Sequence, residues 1–116
     1  MGELEQAVMD QLWSASSPRT VREVHEALNE ERSLAYTTVM TVLDRLAKKN
    51  LVNQERDGRA FRYSPNQSRE QLTAELMLDA LGQSDDPSAR MVALQHFVGQ
   101  VSPQEAAAIR AALRDS

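Results

Sequence analysis

Tyr36, Thr37, Thr38, Thr41 and Arg45 stand at i, i+1, i+2, i+5 and i+9, which on a 3.6-residue helix brings them to one side. The complementary positions Val39, Val42, Leu43 and Leu46 make an apolar stripe. Threonine is a middling helix former, so three of them on a solvent-facing side add little stability. Each does offer a hydroxyl and a methyl group, and in the major groove of DNA that methyl suits the methyl of thymine. The plainer alternative is an amphipathic helix whose Thr and Tyr only cap and pack. The next residues favour recognition: Lys48 and Lys49 end the helix, and Arg56, Arg59 and Arg62 surround the following turn. Such arginines can reach phosphates or enter a minor groove. Arg59, at the turn, suits the groove, and Arg62 suits a phosphate. A charged edge that only blocks aggregation is the competing reading.

Covalent chemistry finds little support in the 116 residues. His25 and His96 lie in different predicted helices with no ligand or catalytic partner at a useful spacing. Cysteine is absent, which removes disulfides, thiolate metal sites and cysteine nucleophiles together. No nucleophile elbow, phosphate loop or metal signature occurs, and aromatics are only 4% of residues. The expectation is a protein that is not an enzyme and that needs no metal or cofactor. No apolar run approaches the ~18 residues of a membrane span and no basic-then-apolar leader opens the chain, so the expected location is cytoplasmic with no membrane partner.

Net charge is -4, but it is unevenly spread. Residues 1–31 carry -5, residues 32–64 carry +4 and residues 65–116 carry -3. A basic island inside an acidic chain sets a local field that can dock a polyanion.

The elements that must position these groups follow from periodicity and punctuation. Leu4, Val8 and Leu12, with Trp13, stripe a helix from about Glu3 to Trp13 that ends in Ser14-Ala-Ser-Ser-Pro18. Thr20 and Glu23 form a capping box for a second helix, whose Val21, Val24 and Leu28 face inward and which closes near Asn29. The third helix runs roughly from Ala35 to Lys49, with Asn50 as a left-handed terminator. Leu51–Arg56 and Ala60–Ser64 then flank Asp57-Gly58, a hairpin dipeptide, with Phe61 and Tyr63 on one face and Arg62 on the other. Three helices and a hairpin in this order make a winged helix-turn-helix.

The remainder is helical. Ser68 and Gln71 box a fourth helix through Leu72, Leu76 and Ala80 to Gly82. Met91, Leu94, Phe97, Val98 and Val101 stripe a fifth, and Ser102-Pro-Gln-Glu105 opens a sixth carrying Ile109 and Leu113. Some fifty residues with such stripes cannot close a dry core alone. Leu72, Leu76, Met91, Leu94, Phe97, Val98, Val101, Ile109 and Leu113 are therefore expected to pack on a second copy. The expected fold is mainly α with a small β-hairpin: a winged helix DNA-binding domain over 1–66 and a helical dimerisation domain over 67–116. A twofold dimer implies double-stranded DNA with an inverted repeat as partner.

The strings Ala35-Tyr-Thr-Thr-Val-Met-Thr-Val-Leu43, Arg45-Leu-Ala-Lys-Lys-Asn-Leu-Val52 and Arg59-Ala-Phe-Arg-Tyr-Ser-Pro65 resemble the penicillinase repressor (BlaI/MecI/CopY) family of transcriptional regulators. Leu4–Trp13 is similar to its first helix, so the resemblance spans nearly the whole chain, and it is strongest towards the actinobacterial beta-lactamase repressors. It implies a homodimeric repressor of antibiotic-response genes on a palindromic operator. By position, Tyr36, Thr37, Thr38 and Thr41 would face the major groove, Arg45 and Lys48 the backbone, and Arg59 and Arg62 would be wing contacts. In antibiotic-responsive members, a sensor-activated protease cleaves the C-terminal domain within an Asn-Phe pair. The matching bond here is His96–Phe97, with His in place of Asn. The copper-responsive branch needs C-terminal cysteines, which this chain lacks. A ligand-sensing winged-helix regulator, released from DNA by a small molecule without cleavage, is the alternative.

Overall fold

The computed structural model describes residues 1–116. In chain order the elements are α1 (Glu3–Ser14), β1 (Arg19–Thr20), α2 (Val21–Leu28), α3 (Tyr36–Lys48), β2 (Val52–Asp57), β3 (Ala60–Pro65), α4 (Arg69–Gly82), α5 (Pro87–Gln100) and α6 (Pro103–Arg114). This is the mainly helical winged helix-turn-helix expected from the sequence. It contains one strand that periodicity did not reveal. Arg19 and Thr20 pair with Tyr63 and Arg62, giving an antiparallel sheet of order β1-β3-β2. Two residues are too few to display alternation.

Local chemistry accounts for the boundaries. Thr20 accepts from the Glu23 amide at 3.1 Å while the Glu23 carboxylate accepts from the Thr20 amide at 2.9 Å, so the start of α2 satisfies its own donors. The same reciprocal pair joins Ser68 to Gln71 and Ser102 to Glu105. At the end of α3, Asn50 sits at φ 61°. Its amide donates to Ala47 O and that of Leu51 to Leu46 O, both at 3.0 Å. This is a Schellman closure with asparagine in the left-handed position. The hairpin turn lies one residue later than the Asp57-Gly58 reading: Asp57 pairs with Ala60, leaving Gly58 and Arg59 as the two loop residues. Only the first has positive φ, 64°, which is the glycine-first type II′ pattern.

Two compact units result, Met1–Leu72 and Thr73–Ser116. The core of the first comprises Val8, Met9 and Leu12 of α1, Val24 and Leu28 of α2, the Val39, Val42, Leu43 and Leu46 stripe of α3, and Val52, Tyr63 and Leu72. Tyr63 is buried and its hydroxyl accepts from Gln54 Nε2 at 2.8 Å. Phe61, near the hairpin tip, lies beyond that core and is exposed. Leu72, grouped by its spacing with the dimerisation stripe, is only 3% exposed and belongs to the first unit's core. Long-range bonds place it there. Trp13 Nε1 donates to Gln67 O at 3.0 Å, and the Arg69 guanidinium pairs with Asp10 at 2.7 Å while lying 4.8 Å from the Trp13 ring centroid. The chain after the wing is thus laid back on α1, and the first unit extends past the expected boundary at residue 66. In the second unit, no residue from 73 to 116 is buried.

Two outcomes follow. Leu72→Ala should lower the unfolding free energy reported by Trp13, the single tryptophan, by about 2–4 kcal/mol, the usual cost of emptying a buried leucine site. A change below about 0.5 kcal/mol, typical of a surface position, would remove Leu72 from this core. Glu23 is held below its ordinary pKa of 4.5, first by the Thr20 amide and then by its hydroxyl, Arg19 and Arg62. A depressed carboxyl stabilises the fold above that ordinary value, and the contribution fades as pH falls through the lowered one. Glu23→Gln should therefore flatten the loss of stability below pH 4.5 in an acid titration of Trp13 fluorescence.

Candidate nucleic-acid interface

The α3 stripe that enters the core leaves Tyr36, Thr37, Thr38, Met40, Thr41, Asp44, Arg45 and Lys48 exposed. They divide into two flanks. Tyr36, Met40 and Asp44 look towards the wing across an open groove of about 730 Å3, shared with Arg22 of α2 and with Gln54, Arg59 and Phe61 of the hairpin. Thr37, Thr38 and Arg45 border a second hollow beside Leu4 of α1. Thr41 lines both. Its hydroxyl donates to Thr37 O at 2.9 Å, so outward it can offer only oxygen lone pairs and a methyl.

The turn between α2 and α3 delivers this face. His25 Nε2 lies 2.7 Å from Leu34 O. Asn29 Nδ2 lies 2.9 Å from the same ring nitrogen. The Leu34 amide donates to Asn29 Oδ1 at 2.8 Å, and the His25 ring stands edge-on to Tyr36 with centroids 5.7 Å apart. The first of the two isolated histidines is therefore structural, clasping the turn and supporting the first residue of α3. His96 lies in the middle of α5, exposed beside the exposed Phe97.

Electrostatics separate the basic residues that sequence spacing had grouped together. Arg45 and Arg59 are exposed and make no ion pair. Lys48 pairs with Asp44 at 3.0 Å, and Lys49 with Glu5 of α1 at 2.9 Å. The Lys49 ammonium holds Glu5 below the usual carboxylate range. Arg62 is engaged twice, by Asp57 at 2.7 Å and Glu23 at 3.6 Å, and Asp57 is the main reason its pKa is raised further. Its guanidinium ties the wing to the start of α2, leaving Arg45, Arg56 and Arg59 as the cations of this region without an acid partner. Arg56 donates to Gly58 O at 3.2 Å and lies 5.9 Å from the Phe61 ring centroid.

Met40 and Phe61 are the members of this surface that sequence reasoning passed over. The spacing assigns Met40 to neither side of its helix, and gives Phe61 only the hairpin face that it shares with Tyr63. A helical wheel could have found Met40, because it falls beside Tyr36 and Asp44 and away from the Val39 stripe.

The dimerisation candidates Leu76, Met91, Leu94, Phe97, Val98, Val101, Ile109 and Leu113 all lie in the second unit and none is buried, Leu113 being 70% exposed. No three His, Cys, Asp or Glu side chains gather closely enough to hold a metal ion. No helix is long and apolar enough to cross a membrane.

A family model described as penicillinase repressor matches residues 1–115. The transcriptional regulator BlaI of Mycobacterium tuberculosis is 60% identical over 115 residues, which is 99% of this chain and 83% of that protein. The solution structure of the DNA-binding domain of the repressor BlaI aligns at 32% identity with a TM-score of 0.55, covering 60% of this chain and 83% of that one. The monomeric form of BlaI from Bacillus licheniformis, solved in complex with the blaP half-operator, aligns at 33% identity with a TM-score of 0.51, over 60% and 84% of the two chains. With a winged helix that presents a threonine-rich helix face beside unpaired arginines, and with relatives of this kind, the chain is a transcriptional regulator and not an enzyme: it belongs to the penicillinase repressor family.

Proposed function

We propose that the protein represses transcription in the cytoplasm as a homodimer on an inverted-repeat operator of beta-lactamase or related antibiotic-response genes. In this reading α3 lies in the major groove, with Tyr36, Thr37, Thr38 and Thr41 towards base edges. Arg45 and Lys48 approach the backbone and Arg59 the adjacent groove, while Arg62 mainly braces the wing. Lys48 must exchange Asp44 for a phosphate, whereas Arg45 and Arg59 need release no partner.

No residue between Thr73 and Ser116 is buried, and that single observation carries the dimer. Ordering these residues costs conformational entropy that unburied side chains do not offset. Burying Leu76, Met91, Phe97, Val98 and Leu113 on a second copy supplies the missing apolar term. Twofold symmetry then presents two α3 helices about one DNA turn apart, which matches an inverted repeat.

Release by a sensor-activated protease at His96–Phe97 fits the same picture. The bond lies inside α5, so a protease needs that helix to open locally. Opening is favoured where nothing is buried and where Gly99 weakens the helix by about 1 kcal/mol relative to alanine. The dimer interface is lost with it. A cavity of about 330 Å3 in the second unit, bordered by Met77, Leu81, Leu94, Phe97 and the half-buried Arg90, favours the second reading, release by a small molecule. Induced cells separate the two: a cleaved chain marks proteolysis, and an intact chain off its operator marks a ligand.

Light scattering should give a particle of twice the 13.0 kDa chain mass. Phe97→Glu should halve it and weaken operator binding while leaving Trp13 fluorescence unchanged. A wild-type protein that saturates its operator as a monomer would overturn the dimer. Arg45→Ala should lower the slope of log affinity against log salt by about 0.9, the effect of one phosphate contact. Arg62→Ala should change that slope less, and a full unit of change there would mean that it abandons Asp57 and Glu23 on DNA.

A further inference from the structure

Three large apolar side chains remain open to solvent around the groove between α3 and the wing: Tyr36 at 46%, Met40 at 43% and Phe61 at 41% exposure. Tyr36 has a hydroxyl for water and His25 against its ring, and Phe61 has the Arg56 guanidinium nearby. Met40 has neither. It stands one turn after Tyr36 and one residue before Thr41, on the flank of the exposed helix side that faces the wing. A thioether at this place contributes nothing to the core and cannot bond to a phosphate.

We infer that Met40 is a specificity-determining residue that reads the 5-methyl group of a thymine in the major groove. This rests on the proposal that α3 lies in that groove. Thymine is the only base whose major-groove edge carries an apolar group; the other edges present ring nitrogens, carbonyl oxygens or amino groups. Against a thioether those polar groups lose water and gain no hydrogen bond, a cost that rejects the wrong base. The unbranched, polarizable methionine chain can follow the methyl to its position. The flank assignment separates its base from that of Thr38 and Arg45, which border the hollow beside Leu4. Thr41 lies between the two flanks, and its methyl is the competing reader.

The test starts from a duplex selected from a random pool by the full-length protein. Each thymine of one half-site is then replaced by deoxyuridine, which removes one methyl and keeps the base pair. Wild-type protein should lose about fourfold in affinity at one position, the effect of one buried methyl group. Met40→Ala should bind the thymine duplex less tightly and be indifferent to uracil at that position. Thr41→Ser and Thr38→Ser, which remove the threonine methyls, should keep the uracil sensitivity there. Met40→Gln should shift the preferred base from thymine towards adenine, whose N6 and N7 suit an amide.

Wild-type affinity indifferent to uracil at every position would overturn the assignment while leaving the groove reading intact. Sensitivity that survives Met40→Ala and vanishes in Thr41→Ser would transfer the role to Thr41. An equal loss by Met40→Ala on selected and unrelated duplexes would place Met40 on the sugar-phosphate backbone and overturn it too. Failure to select any duplex would bring down the groove reading and this assignment together.

Discussion

The apolar stripe of α3 is the constraint on which the rest of the structure depends. Val39, Val42, Leu43 and Leu46 are all buried, and they are the common wall against which Val8, Met9 and Leu12 of α1 and Val24 and Leu28 of α2 close. A helix has only one direction in which to turn such a stripe. Once it faces inward, Thr37, Thr41, Asp44 and Lys48 must face solvent, with Met40 and Thr38 on the two flanks. The exposed face of α3 is therefore the back of the core, and the same four aliphatic residues that hold the helix also aim it. The turn from α2, clasped by His25, Asn29 and Leu34, determines where along that core the helix begins.

Charge is arranged on top of this frame by local competition. The middle of the chain is basic, yet most of its cations are already occupied: Lys48 by Asp44, Lys49 by Glu5, Arg32 by Glu3 and Arg62 by Asp57 and Glu23. Exposed pairs of this kind contribute little stability. Their larger consequence is to decide which cations remain free. Arg45, at one flank of α3, and Arg56 and Arg59, on the wing, are left without an acid. A polyanion meets those three without first displacing a carboxylate. Arg62 has a different use, because its two acids come from the wing and from the start of α2, so it couples the hairpin to the helical part of the unit.

The second unit contrasts with the first. The first buries twelve hydrophobic residues, and the second buries none. Its helices are well specified locally, with Asp86 and Ser102 capping α5 and α6 and a proline opening each. What they lack is an apolar surface to pack on. The first unit thus carries a core of its own, and the second leaves its apolar side chains uncovered.

Read without coordinates, the chain already determined its helices, their caps, the left-handed Asn50, the hairpin, the basic island and the threonine-bearing face. These depend on side-chain periodicity and on hydrogen bonds spanning a few residues, and both are written in consecutive letters. Family membership was legible for the same reason, in the run from Ala35 to Val52 and in the hairpin. Only the tertiary structure decided the rest. Strand β1 exists because β3 offers it an edge. Leu72 joins the first unit because Trp13, Asp10 and Arg69 draw the start of α4 onto α1. Arg62, already held by Asp57 within the hairpin, also ties the wing to α2, because Glu23 lies some forty residues away in sequence and 3.6 Å away in space. Met40 is exposed because the stripe beside it is complete without it. Each of these outcomes is a choice among partners distant along the chain, and spacing within a segment carries no information about which partner will be near.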